Sequence, residues 1–340
     1  LEPCGRYGVC EWGCPQGAKA SFDLAYMVHA QQASAKVITG ARVRAVTTNA
    51  QGLADGAIWL DRDGNEHHYK AKAVVLCGNG VGTPRILLMS ANNQHPDGLA
   101  NSSGLVGKNL MLHPNCSVAG FYDEDLKSHQ GPAGQLLYSL EFYESDDNRD
   151  FARGAKLHVL PLPGPLNAIE AHRGNSYDDL WGESAHDIAR RHATGVLWAA
   201  NTEDLPEESN RVTLSTTQVD DLGLPAPKVE YRISEDTRRN LKFAVKRMEE
   251  LHEVAGAKTT ISTELWIDQP GHLMGTARMG NDSATSVVDS WGRCHDVKNL
   301  FIADGSIFVT SGAMNPTCTI SALALRVAKG ILAHGMDGKG

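Results

Sequence analysis

The sequence lacks several features that would assign the protein to a class at once. It contains no run of 18 apolar residues, so no segment is predicted to span a membrane. It has no block of basic residues and a net charge of −8, which argues against a nucleic-acid binder. It begins with Leu1 rather than methionine, so the lack of a visible signal peptide excludes no compartment; cytoplasmic and periplasmic locations both stay open.

Cysteine is present, but not in the pattern of a disulfide scaffold. The seven cysteines are an odd number in a 340-residue chain. Cys4, Cys10 and Cys14 follow the spacing C-x5-C-x3-C. Zinc requires four ligands, and no fourth cysteine or histidine follows at a suitable spacing, so we assign no metal site. An iron–sulfur cluster on these cysteines and a cysteine-rich segment without a cluster both stay open.

Hydrophobic periodicity and turn residues predict a mixed chain of the α/β (α+β) class. The predicted strands are 36–39, 42–47, 56–60, 66–69, 71–77, 117–122, 156–162, 210–214, 228–231 and 299–303. The predicted helices are 21–35, 85–90 with Pro84 in its first turn, 234–255 and 319–333. The polar stretch 163–193 shows no assignable pattern.

A buried strand at 71–77 runs into the glycine turn Gly78-x-Gly80-x-Gly82 and then a helix. Turns of this kind bind phosphates because backbone N–H groups and the helix dipole face the anion. The spacing is not the G-x-G-x-x-G fingerprint, and no acidic residue opens a strand about 20 positions later. A tight structural turn is therefore an equal alternative.

Five separated motifs resemble, in order, those of the glucose–methanol–choline (GMC) family of FAD oxidoreductases. They are 13–19 (GCPQGAK), 80–90 (GVGTPRILLMS), 106–114 (VGKNLMLHP), 271–280 (GHLMGTARMG) and 299–317, which contains NLFIADGS and SGAMNPT. Family members begin with a strand and G-x-G-x-x-G that hold the ADP half of FAD, and nothing like it precedes Leu1. The resemblance implies a C-terminal portion lacking about 150–250 residues, with a partner chain that supplies the missing part as the alternative.

The resemblance also implies a domain plan. Residues 1–115 and 269–340 would form an incomplete, Rossmann-like FAD-binding domain. Residues 116–268 would form an inserted substrate domain, with an antiparallel sheet covered by helices such as 234–255. The active site would lie where the two domains meet, which is a usual place for pockets.

The resemblance places the catalytic pair at His272 and Asn315. A histidine suits a general base because its ordinary pKa is near 6.5, and the Asn315 amide would orient the substrate oxygen. We expect His113 to shape a loop beside the cofactor and His295 to lie at the surface.

The same resemblance assigns cofactor contacts. Backbone groups at Asp304 and Gly305 would meet the pyrophosphate or ribityl chain of FAD, although the alternative for Asp304 is a helix or turn cap. Asn315, Pro316 and Thr317 would lie at the flavin ring, where the polarity of a helix N-terminus stabilises reduced flavin. The backbone of Val43 would contact adenine.

The implied function is an FAD-dependent oxidoreductase acting on the CH–OH group of an alcohol or sugar, a dehydrogenase rather than an oxidase. His272 would take the hydroxyl proton, hydride would pass to flavin N5, and a cytochrome would be one candidate electron acceptor. The alternatives are an inactive or partner-dependent fragment and a flavin lyase on the same fold. The substrate is not predicted, because the resemblance is weakest between about 120 and 200.

Overall fold

A computed structural model describes residues 1–10, 12–132, 137–162, 164–173, 181–266 and 271–334. The strands are β1 (Arg42–Thr48), β2 (Ala54–Leu60), β3 (Glu66–Lys70), β4 (Val74–Leu76), β5 (Asn115–Phe121), β6 (Tyr138–Ser139), β7 (Ala155–Pro161), β8 (Gly195–Thr202), β9 (Arg211–Val219), β10 (Pro225–Glu230), β11 (Thr259–Thr263) and β12 (Leu300–Ile302). The helices are α1 (Val28–Gln32), α2 (Asn79–Met89), α3 (Pro165–Arg173), α4 (Glu183–Arg190), α5 (Glu235–Val254) and α6 (Thr317–His334). A π-helical turn, Asp23–Met27, precedes α1, and 3₁₀ turns form at Arg191–Thr194 and Gly305–Ile307.

The chain divides into two compact units. Unit 1 takes the described parts of 1–37, 114–203 and 234–270, and unit 2 takes those of 38–113, 204–233 and 271–340. The units differ from the predicted domain bounds in placing 1–37 in unit 1 and 204–233 in unit 2. The predicted bound at 268 lies outside the described residues. The cofactor and substrate roles of the predicted domains stay predictions.

Unit 1 contains a five-stranded antiparallel sheet in the order β11-β5-β8-β7-β6. Helix α5 begins where the sequence predicts, because the Ser234 hydroxyl accepts a hydrogen bond from the Thr237 N–H at 3.0 Å. The apolar positions of α5 pack on one face of the sheet. This core contains Leu241, Ala244, Val245 and Met248 from α5 and Cys116, Val118, Leu157 and Ala200 from the strands.

Unit 2 contains the antiparallel sheet β1-β2-β3, the parallel pair β4-β12 and the hairpin β9-β10. The hairpin belongs to this unit because the Val212 N–H donates to the Gly107 carbonyl oxygen at 2.7 Å. Gly107 has φ +88°, and a Cβ there would lie 2.1 Å from the Val212 oxygen. Only glycine permits this approach.

One predicted strand is wrong. Residues 36–39 form no strand, and the side chains of Val37 and Ile38 are exposed. The run has β-branched residues, but strands are stabilised by pairing and burial rather than by composition alone. Within the described residues, β1 pairs with β2, and no strand pairs with 36–39.

Helix α2 begins earlier than the sequence pattern predicts. It starts at Asn79, so Pro84 lies inside the helix instead of in its first turn. Proline has no N–H, so it cannot donate to the carbonyl oxygen of Gly80, four residues earlier. The buried Thr276 hydroxyl donates to that oxygen at 2.8 Å and replaces the missing bond.

This replacement gives a prediction for Thr276. Thr276→Val keeps the side-chain shape but leaves the Gly80 carbonyl without the hydroxyl donor. We expect a loss of about 1–3 kcal/mol in the free energy of unfolding, measured by urea denaturation. Thr276→Ser is the matched control because it keeps the hydroxyl, and equal losses in the two variants would contradict this account.

In the described ranges, no helix is both long and apolar enough to cross a membrane.

Candidate functional site

His272 lies in unit 2 on a segment held by backbone hydrogen bonds to its neighbours. Met274 and Met111 exchange two such bonds, at 2.9 and 3.0 Å, and the Gly275 N–H donates to the Gly305 oxygen at 3.2 Å. Gly80 of α2 approaches so closely that a Cβ there would lie 2.6 Å from the Leu273 carbonyl carbon. Three segments distant in sequence therefore fix the backbone that carries His272.

His272 itself has an unusual backbone conformation. Its φ is +63°, in the left-handed region that residues other than glycine rarely adopt. Such conformations persist where the surroundings impose them, and they cluster at functional sites. The side chain is half-buried, so part of the ring stays accessible.

The ring of His272 contacts a second histidine. The Nδ1 atoms of His272 and His113 are 2.6 Å apart, with the ring planes inclined by 76°. His113 is fully buried, and its Nε2 lies 2.7 Å from the Gly312 oxygen and 3.3 Å from the Ser311 oxygen. The prediction that His113 shapes a loop placed it near this site but missed its contact with His272.

Asp204 is a buried residue that bonds through its backbone to the loop whose oxygens accept from His113, and through its carboxylate to two other segments. The Asp204 carboxylate accepts from the Leu112 N–H at 3.1 Å and from the Tyr231 hydroxyl at 2.7 Å. The Asp204 backbone N–H donates to the Ser311 hydroxyl, which in turn donates to the Asp204 backbone carbonyl oxygen. Burial, together with the Asp204 carboxylate, raises the pKa of the Tyr231 hydroxyl, so this group stays protonated and donates. The sequence alone gave no signal for Asp204 or Tyr231.

The Asp304 side chain is engaged in turn and helix caps, the alternative that its position suggested. Its Oδ2 accepts from the Asn79 N–H at 3.0 Å and the Thr83 hydroxyl at 2.5 Å, and its Oδ1 accepts from the Ser306 N–H at 2.8 Å. The carboxylate thereby joins β12, α2 and the 3₁₀ turn Gly305–Ile307. Any cofactor contact at Asp304 or Gly305 would then involve backbone groups.

Among the buried polar atoms of unit 2 that have no hydrogen-bond partner among the described residues, two belong to buried residues. They are the Ser306 hydroxyl, directly after Gly305, and the Asn109 side-chain amide nitrogen. Unsatisfied buried groups are rare in proteins and call for an explanation. A polar ligand that reached the Ser306 hydroxyl would supply its partner, and this residue directly follows the predicted cofactor contact at Gly305, which fits the FAD that the resemblance implies.

The remaining predicted site residues divide into two groups. Asn315 and Thr317 lie at the start of α6, whose first hydrogen bond runs from the Ile320 N–H to the Pro316 oxygen at 2.8 Å. His113 contacts both His272 and the oxygens of Ser311 and Gly312, and Asn315 follows Gly312 by three residues. Val43 lies in β1 opposite Trp59. Within the described residues, no hydrogen bond links Val43 to the His272 group.

His295, which we expect at the surface, is held by hydrogen bonds at a half-buried position. Its ring is half-buried, and its Nε2 lies 2.9 Å from the Ser286 hydroxyl and 3.2 Å from the Gly280 oxygen. These contacts give His295 a structural role in the loop that follows the His272 segment.

The three N-terminal cysteines are not brought together as a group of metal ligands among the described residues. Cys4 is exposed, and the Cys14 sulfur accepts from the Ala18 N–H at 3.2 Å. That N–H and the Gln16 N–H hold the pKa of the Cys14 thiol below its usual value. In the part of the chain that the structure describes, no three His, Cys, Asp or Glu residues are grouped to hold a metal.

Comparison with known proteins agrees with the motifs. GMC oxidoreductase family models match residues 1–115 and 206–324. The chain is 40% identical over 319 residues to a 2-methyl-1,2-propanediol dehydrogenase of Mycolicibacterium austroafricanum, covering 92% of this chain and 57% of that protein. It is 34% identical over 329 residues to a fructose dehydrogenase large subunit of Gluconobacter japonicus, covering 97% of this chain and 59% of that protein. The chain thus spans less than two thirds of these relatives.

A solved structure has the same fold. The crystal structure of pyridoxine 4-oxidase from Mesorbium loti matches with a TM-score of 0.67, covering 94% of this chain and 63% of that chain at 16% identity. At this identity the likeness concerns the fold alone, and it bears out the predicted mixed helix and sheet class. With the family models matched in both halves of the sequence, the chain belongs to the GMC oxidoreductase family.

Proposed function

We propose that the protein containing this chain is an FAD-dependent oxidoreductase of the CH–OH group of an alcohol or sugar, a dehydrogenase rather than an oxidase. The observation that carries the proposal is the position of His272, the histidine of the family motif. Its ring is half-buried and bonded to His113 at 2.6 Å through Nδ1. A base for the substrate hydroxyl has to be both held in place and accessible.

In this proposal each residue has a defined task. His272 takes the hydroxyl proton, and the Asn315 amide donates to the substrate oxygen and orients it. Backbone groups at Asp304, Gly305, Pro316 and Thr317 would hold FAD, with Val43 at its adenine. When bound, FAD supplies the hydride acceptor at flavin N5.

The N-terminus of α6 contributes electrostatics at this site. Its first-turn N–H groups and its dipole favour negative charge, which reduced flavin carries. We propose that residues 1–115 and 269–340 provide the flavin side of the site and that residues 116–268 provide the substrate side. The relatives named for a propanediol and for fructose support an alcohol or sugar substrate.

A dehydrogenase requires an electron acceptor other than oxygen. The fructose dehydrogenase relative is named a large subunit, which supports a partner subunit. We propose that an electron-accepting protein such as a cytochrome fills that role. The proposal includes no electron transfer through Cys4, Cys10 or Cys14, because the described residues do not group these sulfurs.

The test uses the complete gene product. We expect it to purify with FAD, and we expect 2-methyl-1,2-propanediol, fructose or a related alcohol to bleach the oxidised flavin absorbance under anaerobic conditions. In air, the protein should reduce an artificial dye faster than it produces peroxide. If the protein forms peroxide as fast as it turns over substrate, it is an oxidase. If it cleaves the substrate without any electron acceptor, it is a lyase. If the protein neither binds flavin nor turns over substrate, it is inactive.

A further inference from the structure

We infer that His113 is a positioning residue that holds His272 in one tautomer, with the hydrogen on Nδ1 and the lone pair on Nε2. This inference rests on the proposed function, in which His272 is the base. The inference specifies which nitrogen of His272 accepts the proton, and it names His113 as the residue that selects this nitrogen. The two neutral tautomers of histidine differ in which nitrogen can act as a base, and the hydrogen bond at one nitrogen selects between them.

The contacts of His113 locate its own hydrogen. Its Nε2 lies 2.7 Å from the Gly312 oxygen and 3.3 Å from the Ser311 oxygen. Carbonyl oxygens only accept hydrogen bonds, so His113 must carry a hydrogen on Nε2. In neutral His113 the lone pair is then on Nδ1.

The contact between the two rings locates the hydrogen of His272. The two Nδ1 atoms are 2.6 Å apart, a distance that requires one hydrogen between them. Since His113 offers a lone pair at Nδ1, His272 donates from its own Nδ1. The lone pair of neutral His272 is therefore on Nε2, the nitrogen that can accept the hydroxyl proton.

His113 cannot readily turn to offer its other nitrogen. It is fully buried, and its backbone N–H donates to the backbone oxygen of Gly271, the residue before His272, at 3.3 Å. The Asp204 carboxylate fixes the preceding residue through the Leu112 N–H. Asp204 also bonds twice to Ser311, one of the two residues whose oxygens face His113 Nε2.

The same contact also stabilises His272 after it has accepted the hydroxyl proton. When His272 Nε2 accepts the hydroxyl proton, the ring becomes an imidazolium with hydrogens on both nitrogens. Its Nδ1–H still points at the His113 lone pair, so the bond between the rings becomes charge-assisted and stronger. His113 orients the ring and stabilises the positive charge without taking the proton itself.

Three substitutions at His113 separate this role from a merely structural one. His113→Asn places an amide oxygen where Nδ1 stood and loses the Nε2 contact. His113→Gln reaches toward the Gly312 oxygen but offers no acceptor at the Nδ1 position. His113→Leu removes both contacts. The measurement is the limiting rate of flavin reduction at saturating substrate in the complete protein, with flavin content and apparent substrate affinity recorded alongside.

We expect the Leu and Gln variants to lose about 10–100-fold in the limiting rate, because the orienting partner of a functional histidine is missing. The Asn variant should retain the rate within about 10-fold, since it restores the acceptor at Nδ1. Apparent substrate affinity should change little in all three.

The opposite order would overturn the inference. If His113→Gln reduces flavin faster than His113→Asn, His113 only anchors the 311–312 loop. If all three variants match the wild type, it has no influence on the base. Should His113→Leu fail to fold, the order of the Asn and Gln variants still decides. A wild-type protein that substrate does not reduce would refute the proposed function, whereas loss in His272→Ala with unchanged His113 variants would refute this inference alone.

Discussion

Replacing His272 by alanine in the complete protein is expected to slow flavin reduction by substrate by about 10²–10⁴-fold, the usual contribution of a general base. The bound flavin should be retained, because the cofactor contacts proposed for unit 2 involve other residues. The variant lacks the His272 Nε2 atom that would take the proton from the substrate hydroxyl. Anaerobic stopped-flow measurement of the flavin absorbance gives the rate directly.

A histidine far from this machinery provides the control. His29 is exposed in unit 1, and its ring contacts Gln32 at 3.3 Å on the same short helix. We expect His29→Ala to reduce its flavin at the wild-type rate. Unchanged flavin reduction in His272→Ala would remove His272 from the role of base.

The second large effect concerns Lys156, whose side chain is fully buried in unit 1 on β7. Burial lowers the pKa of its ammonium from 10.5 to about 8. Between pH 8 and 10.5 the unfolded chain therefore binds a proton that the folded chain has lost. Stability rises with pH wherever the unfolded state binds more protons, so the wild type should gain stability across this window.

Comparison with Lys156→Met isolates this gain. From pH 7 to 10.5 the wild type should gain about 3 kcal/mol relative to the variant, since each unit of pKa difference corresponds to about 1.4 kcal/mol. Urea unfolding at several pH values measures the difference. Lys246→Met, which removes an exposed ammonium from α5, is the matched control, and its curve should run parallel to that of the wild type. A parallel curve for Lys156→Met would contradict the prediction.

Much of the fold could be predicted from short-range signals. The Ser234 cap and the apolar spacing of α5 predict this helix to within one residue at each end. Between the predicted strands 56–60 and 66–69, the turn sequence Asp61–Gly64 is a hairpin signal, and β2 does pair with β3. Both signals succeed because the residues that fix the structure are neighbours in the chain.

The sequence-based predictions are wrong where residues distant in the chain determine the local structure. The run 36–39 has the composition of a strand but no strand pairs with it in the described residues. Pro84 is a signal for a first turn, yet it lies inside α2, where Thr276, far along the chain, donates to the Gly80 carbonyl oxygen that Pro84 cannot reach with an N–H. Neither outcome is visible in a local window.

The sequence by itself determined the family, the mixed fold class and the candidacy of His272, because motif residues and hydrophobic periodicity are written in consecutive positions. Only the tertiary structure decided which groups surround that histidine. His113 precedes His272 by 159 positions, and Asp204 and Ser311, which fix the loop beside it, lie in two further segments. Hydrogen bonds between such segments form when the chain packs, so the side chain that orients His272 is decided by the fold and not by its neighbours in sequence.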